Sequence, residues 1–473
     1  MSLRHWVILA TLMVAEIVAG FESSMVLAAL PSWFRIYGDP IGPGWIVSAY
    51  LLVASASAAL CGRLGDLFGR KNVLMFVITA ACLGSIVSAV APSLAWIIIG
   101  RAIQGLAGAI IPLCIGLARE HLPRERIGFA IGFIGAMTAG ATAAGFLLGG
   151  ILTDHFGPQS IFTASAITAA LVLAVVSLGL PRSTPLTLSG PIDWLGGVLF
   201  APAVAALLVV ASYGGRWGWT TPAVLALGIG GAATLAIWVW HERRVPDPLI
   251  DVRLLANRNT ALANLTIACA AAGVIQSTQV ASLILQQPVW TLVGLGTTAT
   301  VAGLMKFPGM VAGIFASIWA GWVSDRRGGR LAMLVGCGTM ALAGVLGAFA
   351  HDSVALILVF VVISQSGMAA SYAGIPKVIV DGSPNSRTSE ATGVMTVTRT
   401  MSQAIGSQMV AVLLATSVVV GPAGKSFPDD RAFTLVFWYM AALAVLGIVF
   451  SSLVTQSERP AKAAVPAARA PAG

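Results

Sequence analysis

Charge is what this sequence most lacks. Asp, Glu, Lys and Arg make up 10% of its 473 residues, against 57% hydrophobic, and mean hydropathy is +0.90. A water-soluble protein of this length needs far more charge to cover its surface, so the aqueous classes drop out. Cysteine is scarce as well. Cys61, Cys82, Cys114, Cys269 and Cys337 fall within or at the ends of apolar runs, and no Cys-x-x-Cys pair occurs. Neither a disulfide framework nor a zinc site is indicated, and small apolar packing residues are the simpler reading. A phosphate-cradling Gly-x-x-x-x-Gly-Lys-Ser/Thr loop is missing, which argues against ATP-driven pumping by this chain. His5, His121, His155, His241 and His351 all lie at run ends or in loops, so they offer no intramembrane relay. No nucleophile–base constellation is evident within a run, which disfavours an intramembrane enzyme. Loops long enough to hold a soluble sensing domain are absent too.

What is present is a series of long apolar runs. Fourteen occur, at 6–30, 45–62, 73–92, 96–117, 127–151, 159–180, 194–213, 222–240, 260–285, 298–323, 331–350, 353–376, 389–419 and 432–454. Each is near the ~20 residues a helix needs to cross ~30 Å of hydrocarbon. Barrel strands would alternate over about ten residues instead. Helices satisfy every backbone donor within the segment, so the expectation is an all-α membrane protein of fourteen transmembrane helices. The first run is long and carries Glu16 and Glu22, and no convincing cleavage site precedes the second, so it reads as a span rather than a leader.

The net charge of +9 suggests nucleic acid until the cations are placed. With fourteen spans, twenty Lys and Arg fall on the side of the chain termini and four on the other, while Arg101, Lys306 and Arg399 lie inside spans. That bias is the positive-inside pattern, so both termini are expected in the cytoplasm and no nucleic acid partner is expected. The turn after the second span, Gly62-Arg-Leu-Gly-Asp66-Leu-Phe-Gly69-Arg70-Lys71, is echoed after the tenth by Gly321-Trp-Val-Ser-Asp325-Arg326-Arg-Gly328-Gly-Arg330. Such a repeat marks a carrier built of two bundles about a central site. The expected division is a bundle at 1–181, a linker with two extra spans at 182–258, a second bundle at 259–457 and a disordered cytoplasmic tail at 458–473.

These turns closely resemble the loop signature of the major facilitator superfamily, and nearly the whole chain resembles its fourteen-span drug:proton antiporter branch. The branch's features recur in Phe21-Glu22-Ser-Ser-Met-Val-Leu-Ala-Ala-Leu-Pro31, in Arg101-Ala-Ile-Gln104-Gly105 and in Ile192-Asp193-Trp194-Leu195-Gly196. They recur again in the run from Trp240 to Asp251 and in Glu390-Ala-Thr-Gly393 leading to Arg399. The resemblance implies two six-helix bundles plus two central spans in the plasma membrane. It implies a proton-coupled exporter of hydrophobic or amphiphilic small molecules, powered by the proton gradient without a cofactor or metal, with a periplasmic adaptor as an open further partner. One specific solute (a metabolite, lipid or siderophore), moved in either direction, is the alternative. A non-transporting sensor or an enzyme is the remaining class.

By the same resemblance Gly62, Asp66, Gly69, Arg70, Asp325 and Arg326 form a conformational latch, and Arg101 is tied to proton transfer. A structural salt bridge is the other reading of Arg101, because an intramembrane arginine needs a partner in any case. Burial favours a carboxyl's neutral form and a nearby cation its charged form, so a carboxyl held between the two can load and release a proton. Glu22, in the motif, is the preferred coupling residue. Glu16, six residues earlier and about 120° around the helix, is the second candidate. Substrate-cavity candidates are Gln104, Gln276, Gln279, Lys306, Gln365, Tyr372 and Arg399, the amides serving equally well as interhelical hydrogen bonds. Lys306 is the least expected of them for an exporter of cations, and points to neutral or anionic amphiphiles. The fifth span departs from the antiporter pattern: Gly145-Phe146-Leu-Leu-Gly149-Gly150 keeps the glycines and lacks the usual proline.

Overall fold

A computed structural model describes residues 2–39, 41–123, 126–183, 193–245, 248, 256–381, 388–421 and 426–455. The side chains of Gly62, Asp66 and Asp325, and the tail from 456 onward, lie outside the described residues. In chain order the helices are α1 Leu3–Tyr37, α2 Ile41–Phe68, α3 Arg70–Ala89, α4 Leu94–Gln104, α5 Ile110–His121, α6 Ile127–Phe156 and α7 Ser160–Gly179. There follow α8 Trp194–Trp217 and α9 Pro222–Glu242, then α10 Arg258–Ala272, α11 Ser277–Gln286, α12 Ala299–Leu304 and α13 Phe307–Arg327. The chain continues through α14 Gly329–Phe349, α15 Val354–Asp381, α16 Thr388–Leu414 and α17 Asp430–Leu453. Val418–Val420 and Ser426–Pro428 form a short antiparallel ladder before α17.

Thirteen helical spans among the described residues are long and apolar enough to cross a membrane. The run expected at 389–419 is the one outside that set. It folds as α16, long enough to cross, but Arg399, Gln403, Ser407 and Gln408 dilute its hydropathy. It packs against α2 and α10, so protein neighbours meet its polar groups where lipid could not.

Three of the runs read as continuous are broken. Between α4 and α5 the chain tightens to a 3-10 turn at Gly105–Ala109. There a Cβ on Gly105 would come within 2.6 Å of Tyr50 O, and one on Gly108 within 2.7 Å of Ala54 Cα. Between α10 and α11 the break is at Gly273, followed by a 3-10 turn over Val274–Gln276. Between α12 and α13 the cause is Pro308, which has no N–H for the carbonyl one turn earlier, so α12 stops and Lys306 becomes the N-cap of α13.

Helices α1–α7 pack among themselves, as do α10–α17, while α8 and α9 pair and α8 rests on α2 and α16. Arg216 of α8 also forks onto Asp39 at 2.9 and 3.0 Å. The first group encloses its own core, including Leu12, Val77, Leu113 and Val172. A larger core runs from Met25, Val26 and Trp33 of α1 to Val280 and Ile284 of α11 and Ala302 of α12. It joins the groups at the end away from the chain termini.

The hydrogen bonds between the groups cluster at that same end. Gln286 Nε2 donates to Ala28 O at 3.0 Å, and Ser48 Oγ to Ala404 O at 3.3 Å. Asp154 of α6 accepts from Ala299 N at 3.0 Å, Thr300 N at 2.7 Å and Thr300 Oγ1 at 2.6 Å. The carboxylate thereby caps α12 from the opposite group, placing negative charge where a helix start presents unpaired N–H donors.

Candidate functional site

The site is assembled from α1, α3 and α4, with the Ile46 carbonyl and the Tyr50 ring of α2 closing it. Glu22 and Arg101 are 2% and 1% exposed, deep inside the first group. Arg101 Nη1 lies 3.3 Å from Glu22 Oε2. The guanidinium also donates to Glu22 O at 3.0 Å, Gln104 Oε1 at 2.8 Å and Ile46 O at 2.9 Å, and lies 4.3 Å from the centre of the Tyr50 ring. Arg101 thus keeps three acceptors besides the carboxylate. It does not need an ionised Glu22 to stay satisfied, so the carboxyl can change charge without releasing the arginine. A buried pair by itself is weak evidence for stability, which leaves room for a role in chemistry.

Ser85 supplies the detail that bears on protons. Its hydroxyl has one hydrogen but faces two oxygens, Ala81 O at 2.7 Å and Glu22 Oε1 at 2.8 Å, and it accepts from Gln104 Nε2 at 2.8 Å. If Glu22 carries a proton, the carboxyl donates to Ser85, Ser85 donates to Ala81 O, and every contact has a hydrogen. If Glu22 is ionised, Ser85 must choose, and one close oxygen–oxygen contact goes without. The network can therefore hold a proton at Glu22 Oε1, and when that proton leaves to an outside acceptor the Ser85 hydroxyl can turn to donate to the carboxylate.

Glu16 occupies a separate pocket, consistent with its angular offset on α1. Thr138 Oγ1 lies 3.0 Å from its Oε2 and also donates to Ile134 O at 2.9 Å, and the Cys114 thiol lies beside the carboxyl. The structure does not bring the two carboxyls into one network.

The amides proposed for the cavity are largely engaged in holding helices together. Gln276 Nε2 donates to Gln403 O at 3.0 Å, Gln279 Oε1 accepts from Ser407 Oγ at 3.2 Å, and Gln365 Nε2 reaches Thr278 Oγ1 at 3.5 Å. Among the described residues Gln279 Nε2 and the buried Tyr372 hydroxyl have no hydrogen-bond partner, and Arg399 lies 5.8 Å from the Tyr372 ring centre. Lys306 lies against the ring of Phe146 of α6, one turn before Gly309, which packs on Gln365. Among the latch residues, Gly69 has φ +87°, a conformation glycine tolerates, and starts α3. Arg70 Nη1 donates to Gly116 O at 3.1 Å and lies 3.8 Å from Glu120, contacts inside the first group. Arg326 stacks on Trp322 at 4.2 Å.

The fifth-span glycines mark close approaches. A Cβ on Gly149 would lie 2.7 Å from Met25 Cα, and one on Gly150 2.5 Å from Ala299 O. Sequence reasoning missed Ser85, Thr138 and Asp154. A serine or threonine in an apolar helix carries little signal, since its hydroxyl can always bond back to its own turn. Asp154 could have been flagged as a carboxylate at a span end on the side poor in cations.

Comparison with known proteins follows the same lines. The model of a family described as the Major Facilitator Superfamily matches residues 12–191 and 194–407. An uncharacterized MFS-type transporter of Mycobacterium tuberculosis is 29% identical over 350 residues, covering 72% of this chain and 49% of that protein. The chain thus spans about half the length of that relative. Multidrug resistance protein Stp, also of M. tuberculosis, is 30% identical with 83% of this chain and 73% of that protein covered. The uridine/deoxyuridine transporter of Lactococcus lactis is 29% identical, covering 79% of each. Among solved structures, a point mutant of the nucleoside transporter NupG aligns with a TM-score of 0.67 at 11% identity, over 94% of this chain and 99% of that one. That likeness speaks to the fold alone.

Proposed function

Because the chain belongs to the major facilitator superfamily, and is therefore a multi-pass membrane transporter rather than an enzyme, we propose that it is a proton-coupled carrier exporting hydrophobic or amphiphilic small molecules. The observation that carries this reading is the buried Glu22–Arg101–Ser85–Gln104 network. It holds a carboxyl in a setting that accommodates either charge state, which is what a coupling site needs. The likeness to relatives named multidrug resistance proteins supports the export of drug-like compounds. In this reading the energy source is the proton gradient, no cofactor takes part, and a periplasmic adaptor serves only if a second membrane must be crossed.

The charge bias supports a reading in which both termini are cytoplasmic and the plasma membrane is the site of action. The groups joined through Asp154, Gln286 and Ser48 then correspond to a form closed toward the outside. Two bundles at 1–181 and 259–457, rocking about this seam, supply alternating access. The test is proton movement in vesicles loaded with the purified protein. An amphiphilic substrate should drive proton flux in the wild type and none in Glu22→Gln. Normal coupling in that variant would remove Glu22 from the mechanism.

A second reading is transport of one defined solute. The relative named a uridine/deoxyuridine transporter favours it, as does the absence of the antiporter proline at Phe146. A resistance panel against counterflow of labelled nucleosides separates the two readings.

A further inference from the structure

Lys306 stands apart from the Glu22–Arg101 couple. It is 1% exposed, and among the described residues its Nζ has no hydrogen-bond partner and no charged group close enough to act on it. The ordinary explanations for an intramembrane lysine are a paired carboxylate or an ammonium reaching the aqueous edge. Neither applies here. What the amine touches is a ring: Nζ lies 3.8 Å from the centre of Phe146, the residue that stands where the antiporter pattern has proline. The departure from that pattern and the least expected cation, in different halves of the chain, are in contact with each other.

Their depth is readable from neighbouring contacts. Gly145 lies against Ser24 and Phe21, and Gly149 against Met25, so Phe146 sits level with the turn of α1 that carries Glu22. Lys306 is therefore at the depth of the coupling network but on the other side of the α6–α12 seam. Gly303, one turn earlier on α12, packs on the Phe146 backbone, so the seam seals the amine in this form. Substrate sites in carriers built of repeats lie near the midplane, between the repeats.

We propose that Lys306 binds the anionic group of a substrate, a carboxylate, sulfonate or phosphate on an amphiphile, when the α6–α12 seam parts. The proposal rests on the transporter reading and names its substrate class. A ring face attracts the ammonium but offers it no hydrogen-bond acceptor. An oxyanion supplies both charge and acceptors, so it displaces Phe146 once it can enter. Binding then favours the form with the seam open, because only that form exposes the site.

The experiment compares two fluorescent amphiphiles of nearly the same shape, anilinonaphthalene sulfonate and its uncharged parent N-phenylnaphthylamine. Binding is measured to the full chain in nanodiscs of phosphatidylcholine, against empty discs. Lys306→Gln gives up only the contact with the Phe146 ring and no hydrogen bond among the described residues, and is expected to fold. It should weaken sulfonate binding about tenfold or more, the worth of a charge-assisted hydrogen bond, while leaving the parent unchanged. Lys306→Arg should restore most of the sulfonate affinity. Equal effects on both probes, an unchanged sulfonate affinity, or no sulfonate binding by the wild type would each overturn the assignment. Gradient-driven flux of both probes through wild type and Lys306→Gln separates this failure from that of the transporter reading, which falls only if neither probe is moved.

Discussion

Replacing Asp154 by Asn removes the charge that caps α12 from across the seam and keeps the shape of the side chain. In the wild type Oδ2 serves Thr300 N and Thr300 Oγ1 at 2.7 and 2.6 Å, and Oδ1 serves Ala299 N at 3.0 Å. An amide that keeps the Thr300 contacts must turn its NH2 toward the Ala299 N–H, so one hydrogen bond is lost and two donors are opposed. The carboxylate's attraction to the helix start is lost as well. Together these are worth about 1–2 kcal/mol at this exposed position. The contact exists only while α6 and α12 are together, so the whole loss falls on the closed-seam form. The ratio of open to closed should rise about 5- to 30-fold. Spin labels at His155 and Val289, both exposed, in a background with the five cysteines replaced, read this as growth of the long-distance population. Asp154→Ala should shift it further, and thermal unfolding should move little, since neither group's interior is touched. An unchanged distance distribution in both variants would refute the idea that this cap holds the seam.

The remaining predictions concern the site and the close approaches. Glu22→Gln should fold normally, because its amide can still donate to Ser85, while proton-coupled flux is lost; retention of substrate binding by tryptophan quenching checks the distinction. Arg101→Met leaves Ile46 O, Gln104 Oε1 and a buried carboxyl without their donor and should cost about 3–5 kcal/mol, read as a fall in detergent-solubilised thermal stability. Gly149→Val and Gly150→Val should differ. The first intrudes on Met25 within one group and should lower thermal stability by about 1–3 kcal/mol. The second meets Ala299 across the seam and should instead slow transport with stability largely kept.

Much of the fold was legible because lipid leaves so few solutions. Runs of about twenty apolar residues must be helices, and all but one of those expected recur among the thirteen apolar spans. The exception, α16, shows the limit of hydropathy: a helix screened from lipid by α2 and α10 is free to carry Arg399 and Gln408. The helix breaks were partly readable, since Pro308 announces one. The tightening at Gly105 depends on Tyr50, a residue distant in sequence, and no local pattern could show it. Glu22 and Arg101 were singled out by motif and by the cost of an intramembrane arginine, and they meet in space. The glutamines named for the cavity make hydrogen bonds from one helix to another.

By itself the sequence determined that this chain lives in a bilayer, that it is helical, and that Glu22, Arg101 and Lys306 needed an explanation. Composition and run length suffice for the first two, and the expense of placing charge in hydrocarbon for the third. Only the tertiary structure decided what each charge meets. Arg101 and Glu22 come from helices separated by about eighty positions, and Lys306 meets Phe146 across a seam between two halves of the molecule. Pairing of that kind is set by which helix faces pack together, and a one-dimensional pattern does not contain it.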